Sequence, residues 1–573
     1  MIAAAGVDWA ALGKQFRADR LPNLQRLAAR GASSWLRSAP PREGPAAWAT
    51  LATGRLPEDH QVVLAEEAWS GGVRPLTLAS WRAPPVWASL QAAGVEAASV
   101  DWPGARPGAA QDGVHIDCDF AEPAGAEVEL WSLPRHCMPP EARAALRELR
   151  THPTQISGRM LLPLVPGLAA LDQRRDTALP RLAAAMARAA TVQSAAAWVL
   201  QHTEAQAVFV HHGWLGEVRA AFDAAPEGPF ASVVEGAWRF LDGLAGRLIE
   251  LAGPQARVLF VSPGRYSGLA ALVAGGGGIE SAALPQADVL DLAPTVLAAF
   301  GLSDPRLPGR PVAGLAPRTP QRAVSTPPPP PPADPDLDLL GEVIGEGYAP
   351  PPIDGRPLRA RQLAELALAV VERDPAAAVH LAGAALAVEP DHRLALTVKI
   401  MAHVTLEESE PLEDLAKALM RLAPERGWGA LAHAARYLMK GVPDAASPWL
   451  RRAQLDRRPQ FLLRVAPLWL AAGRPSEAAR LFRTVIRMAP DDPAGHIGVG
   501  MAELALRHFP AAEAALREAL RLDPSRSAVY LQLAQLHAVT GRSADAARMA
   551  GAAVTLGADP SLANAAQAGR LGG

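Results

Sequence analysis

The chain has 573 residues, 49 % of them hydrophobic and 20 % charged, which is typical of globular protein and too long for one core, so two or more domains are expected. Its 56 basic and 58 acidic residues give a formal net charge of −2, which argues against a dedicated nucleic-acid binder. Two cysteines, Cys118 and Cys137, are too few for a disulfide scaffold or a zinc ribbon and favour incidental thiols in a reducing compartment.

The N-terminal stretch MIAAAGVDWAALGKQF lacks both the basic start and the long apolar run of a signal peptide. No stretch of about 20 apolar residues free of charge occurs, so no membrane span is expected. The sequence therefore predicts a cytoplasmic protein.

The N-terminal half, residues 1–312, alternates strand-like and helical patterns. Short apolar runs bounded by Pro or Gly predict strands within 95–104, 207–213 and 256–264. Amphipathic stretches such as PPVWASLQAAGV and VVEGAWRFLDGLAGRLIELAG predict helices between them. This alternation predicts an α/β fold with a parallel sheet covered by helices on both faces, and residues 121–200 are expected to form a mostly helical insertion.

A proline-rich stretch, residues 313–355, is predicted to be a linker. It includes six consecutive prolines at 327–332 and the later run YAPPPIDGRP. Because proline fixes φ and removes an amide donor, the stretch favours polyproline II or disorder over packed structure.

Prolines recur after this stretch at Pro390, Pro424, Pro490 and Pro524. The middle interval, from Pro424 to Pro490, is close to two periods, and the other two are one period of 34 residues each. PSEAARLFRTVIRMAPDD and FPAAEAALREALRLDPSR each predict the second helix of a helix pair that proline ends. The period and the small residues at the helix crossings resemble tetratricopeptide repeats, about five to six of them within 356–573. Such repeats stack into a solenoid whose groove holds a protein or peptide partner; the alternative is a solenoid that only packs on its own N-terminal domain.

Several N-terminal stretches together resemble the alkaline phosphatase superfamily, in its type I phosphodiesterase/nucleotide pyrophosphatase branch. They include DWAALGKQFRADRLPNLQRLAARGAS, WATLATGRLPEDH, DWPGARPGAAQDGVHI and ADVLDLAPTVLAAFGLSDPRLPGRPV. The resemblance covers about residues 1–312 and implies an α/β/α sandwich. It also implies hydrolysis of phosphate esters by two metal ions, usually zinc, with a Ser or Thr nucleophile and about six Asp or His ligands.

The resemblance assigns these roles to positions where the required residue types are missing. The nucleophile position falls on Gly44, which has no side chain. The metal-ligand positions fall on residues that are neither Asp nor His: Ala5, Trp214, Val218, Pro263, Gly264 and Ser267. A cation needs several anionic or imidazole ligands to offset its dehydration, so no metal, no other cofactor and no catalysis are expected, and the domain is interpreted as a pseudoenzyme scaffold.

Two other interpretations stay open. Displaced ligands such as His211, His212, Glu217 and Asp117 could maintain a metal-dependent phosphodiesterase or phosphatase with zinc. Strand alternation would place His115, Asp117 and Asp119, which flank Cys118, on one face, although a polar strand end near the surface is the simpler interpretation.

A degenerate pocket could also bind a phosphorylated ligand without cleaving it, through Arg42 and Arg265, although such arginines are more often solvated. Two further polar residues are expected to be structural. His60 matches a family position of structural rather than catalytic role, and Asp291 is expected to cap the helix that follows it.

Overall fold

The computed structural model describes residues 1–39, 41–69, 72–106, 113–122, 139, 142–171, 176–223, 228–264, 269–279, 284–317, 322–324, 355–490 and 492–570. The chain divides into two compact units, Met1–Gly355 and Arg356–Gly573. Among the residues described, no helix is both long enough and apolar enough to cross a membrane.

The first unit contains twelve described strands. In chain order they are β1 (Ile2–Ala4), β2 (Gly31–Arg37), β3 (Glu66–Trp69), β4 (Gly72–Pro75), β5 (Ala97–Val100), β6 (Val114–Ile116), β7 (Ala207–His212), β8 (Val258–Ser262), β9 (Leu269–Gly275), β10 (Ala287–Asp288), β11 (Leu302–Ser303) and β12 (Arg322–Ala323). Eight of them form one sheet in the order β10-β2-β9-β8-β1-β7-β5-β6, while β3–β4 and β11–β12 form separate two-stranded sheets.

The large sheet is parallel except at β9, which runs antiparallel to both β2 and β8. The sheet is therefore predominantly parallel, as the sequence predicts, with one antiparallel strand. Only residues 263–268 separate β8 from β9, and a parallel neighbour would require a crossover of a dozen or more residues. The short connection leaves an antiparallel hairpin as the available arrangement.

Helices cover both faces of this sheet, as the sequence predicts. They are α1 (Trp9–Arg17), α2 (Pro22–Ala29), α3 (Gly44–Thr53), α4 (Pro57–His60), α5 (Val86–Ala92), α6 (Ala142–Glu148), α7 (Gly158–Leu161), α8 (Ala178–His202), α9 (Trp214–Phe222), α10 (Val233–Ala252) and α11 (Leu292–Ala299). Because successive strand residues point to opposite faces, Val210 packs in one core with α8–α10, and Phe209 packs in the other with α3, α5 and α11. The unit is an α/β/α sandwich.

The predicted insertion at 121–200 is helical where the structure describes it, in α6, α7 and most of α8; residues 123–138, with Cys137, lie outside the described residues. Packing of the first unit continues past residue 312, where the sequence places the start of the linker. Val324 is buried in the second core, and β12 pairs with β11. The remaining predicted linker, 325–354, lies outside the described residues.

The second unit consists of antiparallel helices. They are α12 (Arg356–Val370), α13 (Pro375–Val388), α14 (Arg393–Thr405), α15 (Leu412–Leu422), α16 (Trp428–Met439), α17 (Pro443–Ala453), α18 (Pro459–Ala471), α19 (Pro475–Met488), α20 (Pro493–Ala505), α21 (Phe509–Leu522), α22 (Ser527–Val539), α23 (Ser543–Thr555) and α24 (Pro560–Gln567). They make six pairs and a final helix, in agreement with the predicted repeats.

The sequence features that suggested the repeat have structural roles. Ala378, Ala478 and Ala512 are fully buried, at 0 % exposure, on the second helices of their pairs. Each recurring proline lies two residues beyond the end of a second helix; Pro490, for example, follows α19, which ends at Met488. Small side chains let the paired helices approach closely, and proline prevents the second helix from continuing.

Candidate functional site

A cavity of about 270 Å³ lies at the carboxyl ends of β5 and β7. Its walls come from the residues that follow these strands, from the turn after β6, from α8 and from the first turn of α9. The carboxyl edge is where open α/β sheets bind ligands, because loops from neighbouring parallel strands meet there. Pro45, next to Gly44, also lines the cavity.

Asp101 and His211 form a buried pair in this cavity. Asp101 follows β5 with a φ of 59°, and its Oδ2 lies 3.1 Å from Nδ1 of His211 at the end of β7. Burial, and then the charge of Glu217, raise the pKa of Asp101 well above its ordinary value. Burial lowers the pKa of His211 to about 4, so its imidazole is neutral at pH 7. The edge of Trp48, 4.5 Å away between ring centroids, closes one side of this imidazole.

Three imidazole nitrogens at the cavity have no hydrogen-bond partner within the described parts of the chain: Nε2 of His211 and both ring nitrogens of His212. The two residues are 6 % and 1 % exposed, and both line the cavity. Burial, and then His211, lower the pKa of His212 to about 3, so it is also neutral. Because buried polar atoms normally have partners, this edge of the cavity is suited to a small polar group.

The cavity arginines are engaged by carboxylates. Arg188 binds Glu217, with Nε 3.1 Å from Oε2, and lies 3.7 Å from Glu122. Arg106 donates to both oxygens of Asp119, at 2.7 and 2.9 Å. An incoming phosphate would have to compete with these internal partners.

Comparison with protein families gives a match over residues 2–262, to the family described as type I phosphodiesterase / nucleotide pyrophosphatase. The match covers less than half of the chain, and the first unit, which contains the matched residues, is named the phosphodiesterase family domain for this similarity. Comparison with curated proteins gives no match.

Solved structures similar to the chain include repeat proteins. A tetratricopeptide repeat protein from Parabacteroides merdae is 16 % identical with a TM-score of 0.31, over 37 % of this chain and 84 % of its own. PilF of Pseudomonas aeruginosa is 15 % identical with a TM-score of 0.29, over 38 % and 99 %. A chain of the APC/C hetero-tetramer Cut9-Hcn1 is 14 % identical with a TM-score of 0.32, and less than half of it, 45 %, is covered. The evidence for the repeat architecture is the spacing of the helices in this chain itself.

Gly44, the position to which the sequence resemblance assigns the nucleophile, is the first residue of α3. Gly44 has a φ of 76°, and a Cβ added there would meet nothing within 4 Å. Ala5 directly follows β1, where its N–H donates to the carbonyl of His212 at 2.9 Å. Neither residue offers a side-chain donor to a cation.

Trp214 and Val218 are both 1 % exposed and pack in the core of the phosphodiesterase family domain. The indole Nε1 of Trp214 donates to the carbonyl of Ala237 at 3.0 Å. Although the Trp214 ring borders the cavity, the polar side chain that α9 presents there is that of Glu217. The two assigned ligand positions are therefore core residues, and the adjacent residue supplies the carboxylate.

The last group of assigned positions follows β8, and its described members, Pro263 and Gly264, are not among the residues that line the cavity. The carbonyl of Pro263 accepts from Ser38 Oγ at 2.5 Å, and Gly264 has a φ of 86° close to the backbone of Leu269. Ser267 and Arg265 lie outside the described residues. Arg42 is described but does not line the cavity.

His115 is separate from the acidic turn that follows it. It lies 2.7 Å from Ser99 Oγ and 3.0 Å from the Gln91 amide nitrogen, in the interior. The prediction that strand alternation groups His115 with Asp117 and Asp119 is wrong, because β6 ends at Ile116 and the next residues form a turn.

The ligand atoms of Asp117, Cys118 and Asp119 do lie within 4.8 Å of one another. Arg106 already pairs with both carboxylates of this turn. Burial raises the pKa of the Cys118 thiol, which disfavours the thiolate that a metal binds.

Two structural assignments have different outcomes. His60 is fully buried, with Nε2 3.1 Å from Thr50 Oγ1 and Nδ1 accepting from the Val62 amide, which is a structural role. Asp291 precedes α11 without capping it. Its carboxylate instead accepts from the amides of Asp288 and Arg310, at 2.8 and 2.7 Å, and so fixes the chain entering and following the helix.

A two-metal centre at the family positions does not fit the described residues. Ala5 and Gly44 supply no ligand atom, the carboxylates of Glu217 and Asp119 are held by Arg188 and Arg106, and Asp101 pairs with His211. The residues that the sequence did not assign to the cavity are Asp101, Arg106 and Arg188. The position of Asp101 directly after a predicted strand is the signal that could have identified it.

Proposed function

We propose that the phosphodiesterase family domain is a catalytically inactive scaffold and that the helical repeats bind a protein or peptide partner. The observation that carries the first part is Gly44, at the family's nucleophile position. An in-line displacement with a covalent intermediate needs a hydroxyl there, and glycine has none.

The surroundings of Gly44 support the same proposal. The first metal-ligand position carries Ala5, and Trp214 and Val218 belong to the core. Losing one ligand can be compensated by water or a neighbour, whereas losing a set of them leaves no anionic cage for two divalent ions. A domain that keeps its packed core but lacks these groups can still act as a folded scaffold that other segments or proteins contact.

The experiment uses the purified full chain. Metal content is measured by mass spectrometry, and turnover of p-nitrophenyl phosphate and bis-p-nitrophenyl phosphate is measured with added zinc or manganese. We expect no stoichiometric metal and no cleavage that a chelator abolishes. We expect Gly44→Thr to remain inactive as well, because the missing ligands are not restored with the hydroxyl.

A second candidate function is a metal-dependent phosphoesterase with displaced ligands. It is favoured by the unpartnered buried nitrogens of His211 and His212. Stoichiometric zinc together with chelator-sensitive cleavage, both lost in His211→Ala and His212→Ala but kept in His202→Ala on the exposed end of α8, would establish this candidate and contradict the scaffold.

A further inference from the structure

A groove of about 440 Å³ runs across the first four helix pairs of the second unit. Four arginines line it, and no Asp or Glu is among its lining residues. These groove arginines are Arg393, Arg426, Arg458 and Arg464, all on the exposed side of their helices or turns. In a chain with slightly more acidic than basic residues, this grouping is a local excess of positive charge.

The floor of the groove is apolar and aromatic. Trp428 and Phe461 meet edge to face with ring centroids 5.0 Å apart, and Leu394 and Met401 line the adjoining wall. The site depends on close packing beneath it, since a Cβ at Gly427 would lie 2.3 Å from the Phe461 ring. Trp428, Leu394 and Met401 are only half-buried, so part of this surface can still contact a ligand.

The groove arginines differ in how strongly they are already paired. The guanidinium of Arg393 has no ion-pair partner in the part of the chain that the structure describes, and Arg426 has Glu425 at 3.8 Å. Arg464 pairs with Glu372 at 3.0 Å, and both side chains are about half-exposed. Exposed pairs of this kind contribute at most about 1 kcal/mol, so a carboxylate of a ligand can replace the internal one.

We propose that this groove binds an acidic peptide segment of a partner protein, in which carboxylates flank an apolar side chain. The proposal rests on the peptide-binding function proposed above and names its ligand class. Guanidinium groups bind carboxylates through paired hydrogen bonds, and the floor at Trp428 and Phe461 accommodates the apolar residue. Positive and apolar side chains that line one groove match the two kinds of side chain in such a peptide.

A nucleic acid fits the groove less well. Glu372, Glu425 and Asp456 stand just outside the lining and pair with three of the groove arginines. A phosphate backbone long enough to cover the arginines would also meet these carboxylates, whereas a short peptide can place its charges between them.

The experiment measures fluorescence anisotropy of a labelled 12-residue peptide that alternates Asp or Glu with Leu and Phe, added to the full chain. Matched peptides carry Asn and Gln, or Lys, at the acidic positions, and a twelve-nucleotide uridine RNA is a further probe. Arg393→Gln/Arg426→Gln is the test variant. Arg480→Gln, an exposed arginine of α19 outside the groove that pairs with Glu477, is the matched control.

We expect saturable binding of the acidic peptide, at least tenfold weaker binding of the amide peptide, and weaker binding at higher salt. The double variant should lose at least tenfold in affinity, and Arg480→Gln should change it less than twofold. Equal affinity for acidic and amide peptides that Trp428→Ala abolishes would overturn the acidic class while peptide binding itself stands. Undiminished binding by the double variant would place the site elsewhere.

Other occupants give separate results that would overturn the proposal. Tighter binding of the RNA would assign the groove to nucleic acid, and a dimer that the double variant dissociates would assign it to a second copy. The chain's own stretch 334–346, DPDLDLLGEVIGE, is acidic and apolar; tighter peptide binding after Asp336→Asn/Asp338→Asn would assign the groove to that stretch. No binding of any peptide would contradict the peptide-binding function as well.

Discussion

Three histidines of the phosphodiesterase family domain are buried without a charge. His60, His211 and His212 all have a lowered pKa, and burial is the principal cause in each case. An imidazolium inside the domain would lose its hydration, and even for His211, beside Asp101, this loss outweighs the gain from neighbouring groups, so the folded state holds each ring neutral over most of the physiological range. Burial of neutral histidines makes the stability of the domain depend on pH.

His60 gives the simplest test, because it has no carboxylate partner and its folded pKa is about 3 against 6.5 when exposed. Between these values the unfolded chain takes up a proton that the folded chain does not. The free energy of unfolding therefore falls as the pH falls from 6.5 towards 3, by about 1.4 kcal/mol per pH unit from this residue. Urea denaturation of the wild type and His60→Gln at several pH values should show a shallower dependence in the variant.

The side-chain amide of glutamine can still form hydrogen bonds with Thr50 and the Val62 amide. The variant therefore removes the titrating imidazole and keeps these two contacts. His202→Gln, an exposed histidine on α8, should leave the pH dependence as it is in the wild type. An identical pH dependence in His60→Gln and the wild type would show that His60 is not held neutral by the fold.

At the scale of elements, the end of β1 and the helix α9 approach each other through glycines. A Cβ at Gly216 would lie 2.9 Å from the Cβ of Ala5, and one at Gly6 would lie 2.6 Å from the amide nitrogen of Gly216. This contact sets the position of α9 beside the sheet, and so directs Glu217 towards the cavity.

Gly216→Ala should therefore destabilise the chain by about 1–3 kcal/mol, because the added methyl must displace Ala5. Gly243→Ala, in α10, is the matched control. A Cβ there meets nothing within 4 Å, so the replacement should stabilise the helix by about 0.5–1 kcal/mol. Thermal denaturation measures both changes. A Gly216→Ala chain as stable as Gly243→Ala would contradict the close approach.

The strands of the first unit could be predicted from the sequence, whereas the orientation of α9 could not. The apolar runs that became β5, β7 and β8 are readable because a buried strand needs a continuous hydrophobic segment. Counting residues from the end of β7 into α9, however, does not show which face of α9 meets the core. Residues four apart share a helix face, so Trp214 and Val218 turn inward together, and Glu217 faces the cavity.

The pairing of Asp101 with His211 could not be predicted for another reason. The two residues are 110 positions apart, and their contact depends on β5 and β7 being neighbours in the sheet. The strand order is set by tertiary packing, and one sequence does not contain it. The repeats are the opposite case, since each helix pair contacts its sequence neighbours and the period of 34 residues is visible directly.

At the scale of the whole molecule, the repeats should respond to a local defect in a graded way. A Cβ at Gly498 in α20 would lie 2.1 Å from the Phe482 ring of α19, so Gly498→Ala forces these helices apart. Because a repeat contacts mainly its neighbours, amide hydrogen exchange should accelerate most in α19–α21 and least in the first unit. Gly383→Ala in α13, where a Cβ has open space, should leave the exchange pattern unchanged. A uniform acceleration across the whole chain would contradict the neighbour-limited packing.

The strands at the two ends of the main sheet are very short. β6 contributes three residues to one border and β10 two to the other, and Asp288 of β10 lies 3.6 Å from Arg37 as a charged pair. A long, flat border with unpaired amides would offer a template on which strands of other molecules could assemble into fibrils. Here each border offers only two or three residues to such a template, so the sheet exposes few edge amides to strands of other molecules.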